Sequence, residues 1–589
     1  MNDRTIPQNS TYDVATFKLL SEDTDITNAY TVLSLVVNRV VNRVPTAKVI
    51  LRDGSAADET FSASEGNDLI PGKQLEIAVG FDGKDRSIFK GLIVKQALKV
   101  GSDGSSILVL DCKDAVTRMT IGRHSRYFTN STDSDAIATL FNDYSELSVS
   151  VEPTRITHPK IVQYYATDWD FMLSRTEMNG LIVLVEDGTV QVKPPNIDSD
   201  PLITLTYGAN LLEFETSMDA RFQYGAVKAH AWNAADQALA TAEATEPTVN
   251  NQGNLSGSDL ATVAAPDPLE LRHGGGVNSQ ELKAWADAQL LKSRLAKIQG
   301  RVKTKGYPDA RPDAVIQLGG AGDRFNGQAY VSGIQHELNG GTWHTHMQLG
   351  LAPEWFYQQA DCMDRPASGL LPGVNGLQIG VVLQLQDDPL GEERILVKAP
   401  LIDGEEGIWA RMAVLDGGNN RGTIFRPEIG DEVVLGFLND DPRHPVVLGM
   451  LHSSANPTPI PADDANPQKG IVTRSEIKLI FDDETKVVTL ETPGGNKITI
   501  SDEAKGITLE DQNGNIITLN DSGIALKSAK DLTLEATGKL SLKANQNTTV
   551  EGLNVSLKAN AQFKAEGSAG AEVSTSALAI LKGSLVQIN

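Results

Sequence analysis

The sequence predicts a mainly β protein of several domains that ends in a repeating rod. Three observations carry this. The C-terminal fifth is built from short apolar–small–apolar units. Two earlier stretches are rich in β-branched runs parted by Gly, Pro and Asp turns. Aromatic residues make up only 5% of the chain against 40% hydrophobic residues overall, which suits lean strand cores.

The rod is the clearest of these. From about Ile471 to Asn589 the chain reads Ile498-Thr-Ile500, Ile507-Thr-Leu509, Ile517-Thr-Leu519, Ile524-Ala-Leu526, Leu532-Thr-Leu534, Leu540-Ser-Leu542 and Val555-Ser-Leu557. Phe563-Lys-Ala565, Leu578-Ala-Ile580 and Val586-Gln-Ile588 continue the pattern. Each unit alternates as a strand does, with two side chains on one face. Such a narrow strip cannot close a core within one chain. Three ribbons wound together bury the inward faces along one axis, with Ile524, Leu526, Leu532, Leu534, Leu540, Leu542, Val555 and Leu557 as the expected trimer core. At one strand per layer, about twelve strands at ~4.7 Å spacing give a rod of roughly 55–60 Å. A single-chain β-solenoid is the alternative, although the calcium-binding nonapeptide form of that fold has no counterpart here.

Length and charge narrow the function. At 589 residues the chain holds several domains. A net charge of −24 argues against nucleic-acid binding as the main task. Two cysteines, Cys112 and Cys362, match no metal spacing or disulfide framework, which fits synthesis in a reducing cytoplasm. The first residues lack the apolar segment of a signal peptide, and no stretch reaches the length of a membrane span.

Taken in order, residues 1–365 read as a β-rich region. Strand-like runs fill about 1–120, including Val14–Phe17, Thr31–Asn38, Ala47–Leu51, Leu75–Phe81, Ile88–Val100 and Ile107–Cys112. An α/β insertion follows at about 121–200. Helices are expected after Asn130-Ser-Thr-Asp133 and over Asp168–Met178, and a hairpin turns at Glu186-Asp-Gly188. Strands resume at about 200–350. Residues 234–276, rich in Ala, Thr, Asn and Gly, read as a surface excursion. Asn278 or Ser279 caps a helix to about Ile298, and Asn339-Gly-Gly341 turns a hairpin. Residues 366–452 carry five short strands, enough for an OB-like barrel. Residues 453–470 are a proline-rich linker, and 471–589 form the rod.

The barrel stretch is specific. Gly380-Val-Val382, Arg394-Ile-Leu-Val397, Trp409-Ala-Arg411, Arg426-Pro-Glu428-Ile-Gly430-Asp431-Glu432-Val433, Asp441-Pro-Arg443-His-Pro445 and Leu448-Gly449 stand in one order. This resembles the baseplate OB domain of the VgrG and phage tail-spike family, and the flanking regions suit the same architecture. The resemblance implies a homotrimeric spike of a contractile injection system. It is made in the cytoplasm without a signal peptide and delivered outward on firing. It implies a hub of two similar barrels per chain that caps a hexameric inner-tube protein and meets baseplate wedge proteins. It also implies a β-prism needle sharpened by a PAAR-repeat tip protein, with effector cargo as a further partner. Leu585, Val586, Ile588 and Asn589 are then the expected tip contacts. Type VI secretion, an extracellular particle and a phage tail are equally compatible.

No catalytic group, cofactor site or resident metal is expected. His344-Thr-His346 puts two imidazoles on one strand face with His336 in the same hairpin, but no acidic or cysteine ligand is apparent beside them. Asp403, Glu405 and Glu406 read as solvated turn charges. Gly319-Gly-Ala-Gly322 lacks the Lys-Ser/Thr of a phosphate loop. The competing readings are a wall-degrading tail protein, which needs an inserted enzymatic domain, and a trimeric receptor-binding tail fibre, which leaves the barrel motif unexplained.

Overall fold

The computed structural model describes residues 14–588 apart from 234, 265–266, 275, 359–364, 403 and 405. Cys362, Asp403, Glu405 and Asn589 therefore lie outside the described residues. The fold is mainly β. The chain divides into two compact units, the first of residues 1–377 with 436–446 and the second of 378–435 with 447–589.

The first unit opens with strands β1 (Ala15–Ser21), β2 (Thr24–Asp25), β3 (Thr31–Val40) and β4 (Thr46–Arg52) and a one-turn helix α1 (Ser62–Glu65). Strands β5 (Gln74–Phe81), β6 (Arg86–Val100) and β7 (Ser106–Lys113) complete this block. Alternation drives them: Ala47, Val49 and Leu51 on β4 are buried while Lys48 and Arg52 are exposed. Their inward faces build one core around Leu35, Val37, Leu75, Ile77, Leu108 and Leu110.

The insertion follows as β8 (His124–Thr132), α2 (Asp133–Leu140), β9 (Ser148–Val151), β10 (Thr157–Ala166), α3 (Asp168–Met178), β11 (Ile182–Glu186) and β12 (Thr189–Lys193). Each helix starts at a threonine N-cap, the first within the Asn130–Asp133 stretch expected to supply one. The Thr132 hydroxyl accepts from the Asp135 amide, and the Thr167 hydroxyl accepts from the Asp170 amide. A buried charge cluster organises the insertion. Arg175 donates to Asp133 through Nε at 2.6 Å and Nη2 at 3.1 Å, Asn179 donates to the same carboxylate at 2.9 Å, and Glu281 lies 3.5 Å from Arg175.

The second block begins with β13 (Thr204–Thr206) and β14 (Glu213–Met218). Next come β15 (Val227–Asn233), β16 (Ala238–Glu243), α4 (Gly257–Ala264), β17 (Leu269–His273) and α5 (Ser279–Leu295). It ends with β18 (Ile298–Lys305), β19 (Ala314–Gly319), β20 (Gly327–Asn339) and β21 (Thr342–Leu349). The surface excursion expected at 234–276 is only partly that. Strands β16 and β17 flank β15 in a three-stranded sheet, and Ala240, Ala242, Leu269 and Leu271 pack on the core that α5 closes with Leu282, Ala286 and Leu290. Small Ala and Thr side chains build a thin sheet under a helix there, and their low hydrophobicity hid it.

The two blocks share one strand order. In the first it runs β3-β4-β7-β6-β5-β1, and in the second β14-β18-β21-β20-β19-β13. Numbered by position along each block, leaving aside the two-residue β2 and the separate sheet of β15–β17, both read two-three-six-five-four-one. Even the bulges coincide. Against β7, strand β6 skips Val94 between Ile93 and Lys95, and against β21, β20 skips Ser332 between Val331 and Gly333. One pairing differs, since β1 meets β5 antiparallel and β13 meets β19 parallel. The blocks are not separate sheets. Strand β3 pairs antiparallel with the second half of β20, joining both into one 13-stranded sheet, and Leu338 and Trp343 of the second block enter the first block's core.

The barrel strands are β22 (Gln378–Gln384), β23 (Ile395–Lys398), β24 (Ile408–Met412), β27 (Glu432–Phe437) and β28 (Pro445–Met450), closed in the order β22-β23-β24-β28-β27. A two-residue ribbon, β25 (Gly417–Gly418) with β26 (Arg421–Gly422), projects between them. Val382, Ile395, Val397, Ala410, Val433, Leu435 and Val447 fill the interior.

A close backbone approach fixes β14. A Cβ at Gly300 on β18 would lie 2.1 Å from the Glu215 carbonyl oxygen, so only glycine lets the two strands pair there. Gly300→Ala is expected to force β14 away from β18 and to cost about 2–3 kcal/mol. Urea unfolding followed by tryptophan fluorescence checks this; an unchanged midpoint contradicts it.

Candidate functional site: the bare apolar strip of the C-terminal region

The region begins as a seven-stranded antiparallel meander: β29 (Gln468–Val472), β30 (Lys478–Asp482), β31 (Val487–Glu491), β32 (Lys497–Ser501), β33 (Gly506–Glu510), β34 (Ile516–Asn520) and β35 (Gly523–Lys527). The first strand starts at Gln468, inside the expected linker. These layers pair within one chain, where a strand from each of three chains per layer was expected. The turns explain it: Thr492–Asn496 and Asp511–Asn515 close tight hairpins, with the Asp511 carboxylate taking the amides of Asn513 and Asn515.

Register lines the side chains into columns. Val488, Ile500, Ile507, Leu519 and Ile524 stand in one column, and Leu490, Ile498, Leu509, Ile517 and Leu526 in the next, both on one face. The other face carries Thr489, Thr499, Thr508 and Thr518 in line. Beside them Lys478, Glu491, Lys497 and Glu510 alternate in sign across the strands. Threonine pairs and opposite charges suit a wet face, whereas two aliphatic columns suit a dry one. Yet among the described residues no layer covers the aliphatic face, and Ile498, Ile500, Ile517, Ile524 and Leu526 are exposed.

After Lys527 the alternation persists but the ladder stops. Among the described residues none from 528 to 588 belongs to a strand. Leu532, Leu534, Leu540, Leu542, Val555 and Leu557 are all more than half exposed, up to 76% at Leu542. Leu585, Val586 and Ile588 are exposed as well. Among the described residues the structure leaves the expected trimer-core residues exposed, Ile524 and Leu526 on the last strand of the meander and the others on segments outside any ladder. An extended backbone without a ladder and a row of bare aliphatic side chains have one physical remedy, pairing with other strands. A fully buried Leu or Ile is worth about 1.5–3 kcal/mol, so the strip holds a large unrealised stabilisation.

The other candidates resolve differently. His344 and His346 do share a face, and Glu337 lies 3.3 Å from the His346 Nε2, so an acid stands beside them where none was expected. His336 points to the opposite face, into the interior, with Nδ1 3.1 Å from the Thr345 hydroxyl. Among the described residues no group of three or more His, Cys, Asp or Glu is arranged to hold a metal ion. Gly320 and Gly322 adopt positive φ in the turn between β19 and β20. In the barrel, Asp441 accepts from Arg443 through Nε and Nη2 and from its amide, which holds the carboxyl down to about 2. Asp388 is held low in the same way by Arg394 and by three backbone amides. Both carboxylates are turn anchors. The sequence marks the first only as part of a turn motif, Asp441-Pro-Arg443, and the second needed the fold, because its six-residue separation from Arg394 carries no motif.

The comparisons bear on most of the chain. Residues 11–340 match the family described as the Alg8 N-terminal domain. Residues 378–452 match the type VI secretion system and phage-baseplate injector OB domain, and 487–561 match the phage baseplate V C-terminal trimerisation domain. The type VI secretion system spike protein VgrG1c of Pseudomonas aeruginosa is 23% identical over 452 residues, spanning 69% of this chain and 58% of that protein. VgrG1b of the same organism is 22% identical over 69% of this chain and 57% of its own length. The chain therefore spans under three fifths of the length of these relatives. A solved tail protein from Neisseria meningitidis, 16% identical, covers 58% of this chain and 98% of its own with a TM-score of 0.45.

His336 supplies a pH test of the interior. Burial pushes its ring down to about 3, and the nearby Arg39 charge adds to the shift. The unfolded chain binds a proton below about 6.5 that the folded chain refuses, so stability falls as pH drops from 6.5 towards 3. The slope from this group is at most ~1.4 kcal/mol per pH unit. His336→Leu is expected to flatten the dependence of the urea midpoint on pH in that window. An unchanged slope contradicts a buried neutral His336.

Proposed function

Since this chain belongs to the VgrG and phage tail-spike family, and its residues 11–340 to that of the Alg8 N-terminal domain, we propose that it is the homotrimeric spike and hub of a contractile injection system. The observation that carries this is the bare apolar strip on residues 488–588, which a single chain leaves in water. Three copies bury it along one axis. The meander layers would each turn one aliphatic face inward, and the segments after Lys527 would pair with one another between chains as a β-prism. The result is a stiff needle, a mechanical part without catalytic chemistry.

Residues 1–365 then act as the hub that caps a hexameric inner-tube protein and meets baseplate wedge proteins, and 366–452 as the barrel between hub and needle. Two blocks of one strand order per chain supply six similar units from three chains, which suits a six-fold tube. The exposed Leu585, Val586 and Ile588 would offer apolar side chains to a PAAR-repeat tip protein, with Asn589 the next residue in the sequence. Effector cargo would travel with that tip. Delivery is outward, on firing; no helix among the described residues is long and apolar enough to cross a membrane.

The needle is tested by expressing residues 468–589 alone. Light scattering is expected to give three chains, and a stable monomer contradicts the reading. Leu534→Asp is expected to prevent assembly, because three carboxylates meeting on one dry axis cost several kcal/mol each.

The tip contact is tested separately. Removing residues 585–589 is expected to abolish pull-down of a PAAR-repeat protein encoded beside this chain while leaving the trimer intact. Retained binding would put the docking surface elsewhere.

A further inference from the structure

The meander carries its paired charges in one pattern, and the segment after it carries them in another. In the meander, Lys478 opposes Glu491, Glu491 opposes Lys497 and Lys497 opposes Glu510 across successive strands. Ile516 continues this column and Lys527 ends it. The charges stand by turns first and last in their strands. Lys478 opens β30, Glu491 closes β31, Lys497 opens β32, Glu510 closes β33 and Lys527 closes β35. Antiparallel neighbours require this, because reversal of direction sets the first residue of one strand against the last of the next.

After Lys527 the charge keeps one place, directly behind the second apolar residue of its unit. Lys527 follows Ile524-Ala-Leu526, Glu535 follows Leu532-Thr-Leu534, and Lys543 follows Leu540-Ser-Leu542. Glu551 follows Thr548-Thr-Val550, Lys558 follows Val555-Ser-Leu557, and Glu566 follows Phe563-Lys-Ala565. The sign alternates without a break through all six. The place in front of each unit has no such rule: Asp531, Lys539, Asn547, Asn554 and Gln562 stand there. A continued meander would set Lys527 against Asp531 and Glu535 against Lys539, and the structure makes neither ladder. All six charges are exposed, and among the described residues only Glu566 has an ion-pair partner, Lys564 of its own unit. Residues with one fixed place in every unit meet in a column only when neighbouring strands run parallel. The connections here, such as 528–531 and 552–554, are three or four residues long. A parallel neighbour within one chain needs a connection of about a dozen residues, so the neighbour comes from another copy.

We propose that these six residues set the register of the three chains, each unit lying beside the next unit of the neighbouring copy. Lys527 of one copy pairs with Glu535 of the second, Lys543 of the third follows, and Glu551 of the first copy comes next. Three chains are an odd number, so the alternation survives each return to the same chain. The stagger of one unit is what the signs select. Identical units side by side would set Lys527 on Lys527 and Glu535 on Glu535, and a stagger of two units would likewise oppose like charges, which is destabilising at every layer. The apolar triplets cannot make this choice, because one aliphatic pair packs as well as the next; the charges supply the register that the repeat leaves open. The inference rests on the trimeric reading above.

The test uses the full chain and an inverted form of it. The inverted form carries Lys527→Glu, Glu535→Lys, Lys543→Glu, Glu551→Lys, Lys558→Glu and Glu566→Lys, which keeps net charge and alternation unchanged. The two forms are co-expressed with different affinity tags, and two differently tagged wild-type copies serve as the control. Trimers are isolated on one tag and probed for the other, with light scattering of each form alone. Each form alone is expected to be trimeric, and the control to mix. Wild type and inverted chains are expected to sort into separate trimers, because one unit of stagger between them opposes like charges at every layer. Mixing as frequent as in the control overturns the charge column and leaves the trimeric needle standing. Mixed trimers in excess of the control overturn the stagger, since identical units side by side would favour them. An inverted form that fails to trimerise beside a trimeric wild type overturns the proposal too, because inversion keeps every opposed pair. Monomers of both forms overturn the trimeric reading and this one with it.

Discussion

Every part of this chain answers to one constraint: extended backbone must hydrogen-bond, and one chain cannot satisfy all of its own strands. Where the chain can satisfy them it forms sheets, a closed barrel and a meander. Where it cannot, it leaves edges and apolar faces that define its assembly. The C-terminal strip is the extreme case, since its triplets alternate as strands do while none of residues 528–588 belongs to a ladder. The small middle residues, Thr, Ala and Ser, keep each layer thin, as the proposed sharing of one axis by three ribbons requires.

The barrel solves the same problem by closure. Its five strands leave no open edge, and two Asp–Arg turn anchors, Asp388 with Arg394 and Asp441 with Arg443, pin the connections. These pairs are structural uses of charge. The buried Arg175–Asp133 cluster plays the same part in the insertion, holding α2, α3 and α5 in register through one guanidinium.

Much of this was legible in the sequence because it is written in short-range pattern. Alternation located all six main strands of the first block, cap residues within Asn130–Asp133 and at Asn278 or Ser279 marked two helix starts, and short runs between turns pointed to the five barrel strands. What was not legible is long-range. Strand order depends on contacts such as Leu35 with Leu338, about three hundred residues apart, and no local pattern encodes them. The likeness of the two blocks was hidden for the same reason: aligned positions such as His336 and Leu98 share a place in the fold and not a chemistry. The excursion at 234–276 misled because a sheet of alanine and threonine resembles a loop in composition. In the meander, tight Gly and Asn turns allowed layers to pair within a chain, a choice that triplet spacing alone leaves open.

The central claim is that the strip after Lys527 is paired and dry in the assembled protein. Hydrogen–deuterium exchange of the full chain measures this directly. The account predicts that amides between 528 and 588 exchange far more slowly than an extended, unpaired chain does, with protection recurring at the alternating triplets. Exchange there at the rate of an unstructured peptide, in protein whose barrel amides are protected, would contradict it.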